Sequence, residues 1–425
     1  MKKIVSLLCT AATLLGVVSS CQVMDHYPHN AVSRDSVSEE DLNLLFTGLY
    51  NFAQYKPTFN GYFQNDMAGG DFNRGGSSAF ADAPSWIKDC MLITGGWISG
   101  PWNGYYSWLY QVNSFLLIAQ KAEQTDDVLE MEGVARFFRA LVYYDLTTKY
   151  RNVPLLTEPS DEQLPAAPQA DIWKVVNEDL AFAEAHCSHF SSKYYVSLEA
   201  VQALIARALL AQNRKAEAAT YAEKLITASY FGLDEYEKIF RGQENREEIF
   251  TFSNLADEHG INFSTNFYQA NPMYAPTQEV VNLFVAADKR RDVTIGREGN
   301  QDILFKYLNK NTSDPIIVFR LAEMYLISAE GKGIAGGGLQ RLNELRAFRG
   351  LPAVTPAPAT EEEFVDAVLA ERRLEFLGEG FRWFDLVRTG RYEAATGLET
   401  KYTVFPIPLR ELELNENLEQ NELWK

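Results

Sequence analysis

Residues 197–228 place the tightest limit on what this chain can fold into. The stretch reads SLEAVQALIARALLAQ, then Asn213-Arg214, then KAEAATYAEKLITA. Each run repeats apolar residues at helical spacing. So short a connection lays the two helices antiparallel and side by side. Small residues, Ala206 and Ala218, fall where the helices must approach closely. A second hairpin is expected over 315–348, with PIIVFRLAEMYLISAEGKG and GGLQRLNELRAFRG as its helices. A lone helix pair cannot bury both its faces, so several should stack into an all-α bundle.

The hairpin at 197–228 resembles a tetratricopeptide (TPR) unit, although the full aromatic signature is absent. Further helices are expected after Ser38-Glu39-Glu40-Asp41, which has capping-box spacing, and over about 105–123, 127–149 and 171–187. Two segments break this pattern. Residues 55–104 are crowded with glycines and aromatics. Glycine disfavours a long helix, and the aromatics are too dense for a disordered linker, so a structured, loop-rich region is expected. Residues 241–310 read as mixed: strands or loops at 247–253 and 261–269, a short strand at 303–309, and a helix near 277–287.

With 46% hydrophobic and 13% aromatic residues in 425, the chain can bury a large core, in one domain or two. Its net charge of −18 repels phosphate backbones, so nucleic acid is not an expected partner. The start is read as a targeting segment. MKK is followed by an apolar run, Ile4 to Val18, shorter than the ~20 residues that span a bilayer. VVSS then leads into Cys21. This resembles a bacterial lipoprotein signal: residues 1–20 removed, Cys21 acylated, 21–37 a lipidated tether and 38–425 the folded domain. Of the remaining thiols, Cys90 and Cys187, sequence alone leaves pairing open; each reads more readily as a buried small residue.

ERRLEFLGEGFRWFDLVRTGR (371–391) interleaves four acids with five arginines and several aromatics. Two readings compete. A glycosidase needs a carboxylate pair across a cleft, one of them with a raised pKa. A structural network needs only that each acid meets a cation. Glu371, Glu375 and Glu379 align at i, i+4 and i+8, which is unfavourable unless cations face them. Arg372 and Arg373 are the local candidates, and Arg382 and Arg388 each lie three residues from Asp385. Adjacent arginines lower a carboxyl pKa, so the network is favoured. Gly378 and Gly380 should interrupt the helix and turn the chain.

Taken in order, Cys21, EGVARFFRALVYYDLTTKYRNVPLL (132–156), the hairpin with YFGLDEYEKIF (230–240), EVVNLFVAADKRRDVTI (279–295), FRLAEMYLISAE (319–330), the 371–392 string and FPIPLRELELNENLEQN (405–421) resemble the SusD/RagB family. The chain departs by being short and by closing Gln-Asn with ELWK rather than Pro-Gly. The resemblance implies a TPR-like scaffold of four helix pairs carrying an irregular ligand-binding part. It also implies an outer-membrane, surface-exposed lipoprotein that binds glycan without catalysis, with a SusC-like TonB-dependent transporter as partner. A peptide ligand, a surface glycosidase and a scaffold that binds only protein remain the alternatives.

Sugars stack on aromatic rings through their C–H faces and pair their hydroxyls with planar polar groups. The candidate rings are Trp86, Trp97 and Trp102, with Tyr268 and Tyr274 from a later irregular stretch; Asp66, Asp71, Asn73, Arg74 and Asn103 are the polar candidates. Trp97 and Trp102 stand among glycines, which favours exposure. No cofactor is expected. His186-Cys187-Ser188-His189 lacks a second ligand pair for a metal, GIAGGG (333–338) lacks the lysine of a phosphate loop, and no EF-hand spacing appears.

Overall fold

The computed structural model describes residues 39–55, 58–75, 82–160, 162–255, 263–267, 273–308 and 314–425. The chain divides into residues 1–43, of which only the start of the first helix is described, and a unit of residues 44–425. Cys21 and the signal and tether segments therefore lie outside the described residues.

The principal helices are α1 (Glu39–Tyr55), α2 (Thr58–Ala68), α3 (Ala83–Cys90), α4 (Gly96–Ala119), α5 (Asp126–Tyr150), α6 (Gln169–His186), α7 (Leu198–Ala211), α8 (Lys215–Thr227), α9 (Leu321–Lys332), α10 (Gly338–Phe348), α11 (Glu361–Glu375) and α12 (Arg382–Arg388). From α4 to α8 each packs against the next in the chain; α8 then packs against α9, α9 against α10 and α10 against α11. This is the stacked helical scaffold the hairpin at 197–228 implied, and α7 and α8 are its two arms. Ser197 caps α7, its hydroxyl accepting the Ala200 N–H at 3.2 Å. Ala206 and Ala218 are fully buried. The α8–α9 approach is closer still: a side chain at Gly331 would collide with the Lys215 carbonyl. Between α9, α10 and α11, Leu326, Leu342, Leu345, Phe364 and Val368 form a dry core.

Among the described residues, eight short strands form four antiparallel pairs: β1 (Phe72–Asn73) with β5 (Ala275–Pro276), β2 (Val153–Pro154) with β3 (Ala166–Ala167), β4 (Glu248–Phe252) with β8 (Ile316–Arg320), and β6 (Ile295–Glu298) with β7 (Gln301–Leu304). The chain is thus mostly helical. The β1–β5 pair ties the glycine-rich region to the later irregular one, with Phe72 opposite Pro276.

Two expectations are corrected. The described residues of 55–104 are mainly helical, forming α2, α3 and the start of α4. Residues 83–90 carry no glycine and form α3, where Asp82 accepts the Ser85 N–H at 2.9 Å and Pro84 occupies the first turn. Pro101 lies within α4 and cannot donate to the carbonyl of Trp97; Gln64 Nε2 of α2 donates to it instead, at 3.0 Å. The second correction concerns 315–348. Its first residues are strand β8, because the β-branched and aromatic run IIVFR pairs with EIFTF of β4 before α9 begins. Cys90 and Cys187 are both free and buried.

Candidate functional site

The 371–391 stretch folds as α11, a turn and α12. Gly378 and Gly380 take φ of +80° and +82°, conformations that glycine adopts without strain, and the chain turns there as expected. The network also forms, but most of its cations come from far along the chain. Glu371 meets Arg290 at 2.7 Å and Arg346 at 2.6 Å. Glu375 meets Arg290, Arg320 and Arg349 at 2.8, 2.5 and 2.9 Å. Glu379 meets Lys306 at 2.6 Å and Arg320 at 2.7 Å. Glu247 joins through Arg320 and Arg349, at 3.0 and 2.6 Å. The local candidates serve elsewhere: Arg372 pairs with Asp385 at 2.6 Å, and Arg373 with Asp71 at 2.6 Å.

Burial would raise the Glu375 carboxyl, but Arg349, Arg320 and Arg290 outweigh it and hold the group well below the usual range. Ionised, enclosed and fully bonded, it has the opposite of what a catalytic acid needs. Asp66 differs. Burial pushes its carboxyl well up, against the Gly380 N–H that donates to Oδ2 at 2.6 Å, and Asp71 and Glu379 add to the rise. It is 1% exposed, so no ligand reaches it.

Trp86, Trp97 and Tyr274 come together in one cluster. Trp97 stands edge-to-face to Trp86 and to Tyr274, each at 5.8 Å between centroids. β1–β5 is the pairing that brings Tyr274 there from the later segment. Trp86 and Tyr274 are 2% and 1% exposed and offer no face to a ligand; Trp97 is only partly buried. Arg74 is exposed, its guanidinium 5.8 Å from the Trp86 ring centre. The surface members of this cluster are therefore Trp97 and Arg74, with Met273 exposed next in sequence to Tyr274.

The remaining candidates fall elsewhere. Trp102 is 2% exposed, packed on Tyr106 and Tyr150 at 5.1 and 4.9 Å, so its reading as a ligand platform is corrected. The glycines beside it belong to α4, which turns the ring inward. Asp71 is corrected likewise: it is 1% exposed, and Arg373 occupies its carboxylate. Asn103 is exposed on α4 but turned about 120° from Trp97 at 100° per residue. Tyr268 lies outside the described residues. What sequence reasoning missed was Gln64, whose role exists only because Pro101 vacates a donor four residues after Trp97. Among the described residues no group of His, Cys, Asp and Glu is placed to hold a metal, and no helix is long and apolar enough to cross a membrane.

Residues 23–210 match a family model described as "Starch-binding associating with outer membrane", and residues 306–404 match the SusD family model. Together they span more than half of the chain. SusD-like protein P38 of Formosa agariphila is 25% identical, with 96% of each chain covered. The starch-binding protein SusD of Bacteroides thetaiotaomicron is 35% identical over 124 residues, 26% of this chain and 22% of that one. Among solved structures, a laminarin-binding SusD-like protein matches with a TM-score of 0.77 at 22% identity, covering 91% of this chain and 100% of that one. Surface glycan-binding protein A from Bacteroides thetaiotaomicron, in complex with laminarihexaose, matches with 0.75 at 20%, over the same shares. At such identities these structures speak for the fold, and the two family models speak for descent: the chain belongs to the SusD family.

Proposed function

We propose that this chain is a non-catalytic glycan-binding lipoprotein of the outer-membrane surface. Acylated at Cys21, it captures an oligosaccharide and delivers it to a SusC-like TonB-dependent transporter. The observation that carries the reading is Trp97, a residue left partly open to solvent whose ring is braced edge-on by two buried rings, with Arg74 exposed over one of them, Trp86. A ring so held loses little freedom when a sugar face stacks on it, which is what a platform requires. Asn103 is a further polar contact for a longer ligand. The names of relatives, for starch and laminarin, support the ligand class. The acidic surface disfavours polyanionic glycans. The arginine-locked state of Glu371, Glu375 and Glu379 supports binding without hydrolysis.

The test is affinity electrophoresis of soluble protein starting at Gln22, in gels containing laminarin, amylopectin, xylan or mannan. Retardation in one gel, lost in Trp97→Ala and without product release, is the expected result. Retardation in none would turn the reading to a peptide ligand, and sugar release by the purified protein would turn it to a glycosidase.

A further inference from the structure

A groove of about 290 Å³ lies between α1, the first turns of α5 and the loop joining α6 to α7. Its wall includes Phe46, Tyr50 and Tyr195, the carboxylates of Asp127 and Glu130, and His189, with serine hydroxyls at 188, 191 and 197. Tyr195 is 61% exposed, yet it is held: its ring stands at 81° to that of Tyr50, with centroids 6.0 Å apart. Tyr50 is itself fixed, its hydroxyl accepting the Val196 N–H at 3.1 Å and its ring standing 5.0 Å from that of Phe138. Glu130 accepts the Ser188 N–H at 3.4 Å, and His189 Nδ1 lies 2.8 Å from Glu199. Among the described residues, no lysine or arginine lines the groove.

We propose that this groove is a second binding site for neutral glycan, with Tyr195 as its stacking platform and Asp127, Glu130 and the exposed Ser188 and Ser191 as partners for sugar hydroxyls. This rests on the glycan-binding reading above. An exposed, braced ring bordered by acceptors and hydroxyls suits a polyhydroxylated ligand. A wall with carboxylates and neither lysine nor arginine disfavours anionic ones. A basic peptide would meet the carboxylates, but the exposed tyrosine face and the serine hydroxyls together match a sugar's C–H face and hydroxyls. Trp97 lies at the opposite end of the α4–α5 hairpin. Phe46 of the groove packs on Phe115, 18 residues along α4 from Trp97, which sets the two sites about 27 Å apart along that helix at 1.5 Å per residue. Only a long chain spans both, so the second site adds avidity for polysaccharide and none for a short oligosaccharide.

The experiment uses the four-gel panel with Tyr195→Ala, Asp127→Ala and Trp97→Ala, together with calorimetry on the hexasaccharide of whichever polysaccharide retards the wild type. Tyr195→Ala is expected to weaken retardation roughly tenfold or more, while leaving hexasaccharide affinity at Trp97 unchanged. Tyr195→Phe, which keeps the ring, should restore retardation. Unchanged retardation in both Tyr195→Ala and Asp127→Ala, with loss in Trp97→Ala, would overturn the groove site and leave the Trp97 reading standing. Retardation of the wild type by no polysaccharide would overturn both; oligolysine binding lost in Asp127→Ala would then assign the groove to a basic partner.

Discussion

Trp97 and Trp102 share one helix and have opposite environments, so their alanine variants should fail in different ways. Trp97→Ala should abolish glycan retardation with little change in melting temperature, because the ring is partly solvated. Trp102→Ala empties a site closed by Tyr106 and Tyr150 and should cost about 3–5 kcal/mol by urea titration. Equal stability loss in the two would contradict this division. At Gly378 the constraint is backbone: φ is +80°, and an added Cβ would meet the Leu304 side chain. Gly378→Ala should therefore destabilise by more than about 1 kcal/mol, read by the same titration.

At the scale of elements, the α11–α12 segment acts as a hub. Arg320 reaches it from the end of β8, Arg349 from the end of α10 and Arg290 from the segment between β5 and β6. Removing one cation leaves buried carboxylates uncompensated. Arg320→Ala should cost about 3–5 kcal/mol, and charge-conserving Arg320→Lys should recover only part, since one ammonium cannot replace a fork that bonds Glu247, Glu375 and Glu379. Arg373 and Arg382 extend the hub to Asp71, at 2.6 and 3.8 Å, and so to β1 beneath the Trp97 cluster. A second coupling runs from α2 to α4. Gln64→Leu leaves the Trp97 carbonyl without a donor; weakened glycan retardation with the indole intact is the expected outcome.

For the whole molecule, acid should be the destabilising direction. Burial alone would raise the Glu330 carboxyl, but Arg388 and Lys215 hold it at about 2, below its ordinary 4.5. A depressed carboxyl favours the folded state above its unfolded value and loses that contribution as pH falls through the folded one. Unfolding free energy should therefore decline between about pH 4.5 and 2, and Glu330→Gln should flatten that slope. An unchanged slope would show that Arg388 and Lys215 do not stabilise the charged form.

The amino-acid sequence by itself determined the scaffold. Apolar spacing at 197–228, the glycines at 378 and 380 and the charge balance of 371–391 are local signals, and each acts within a turn or two of chain. It offered Trp97 and Trp102 alike as exposed rings, with no local signal to tell them apart. The tertiary structure decided which rings face water and which cations answer which acids. Arg290, Arg320 and Arg349 are far in sequence from Glu375, so no spacing rule pairs them. In α3 and α4 the helical bonding includes side chains that composition does not display: Asp82 caps α3, and Gln64 answers the Trp97 carbonyl of α4. Inward or outward at Trp97 and Trp102 depends on what packs against α4, and that is set only when distant segments meet.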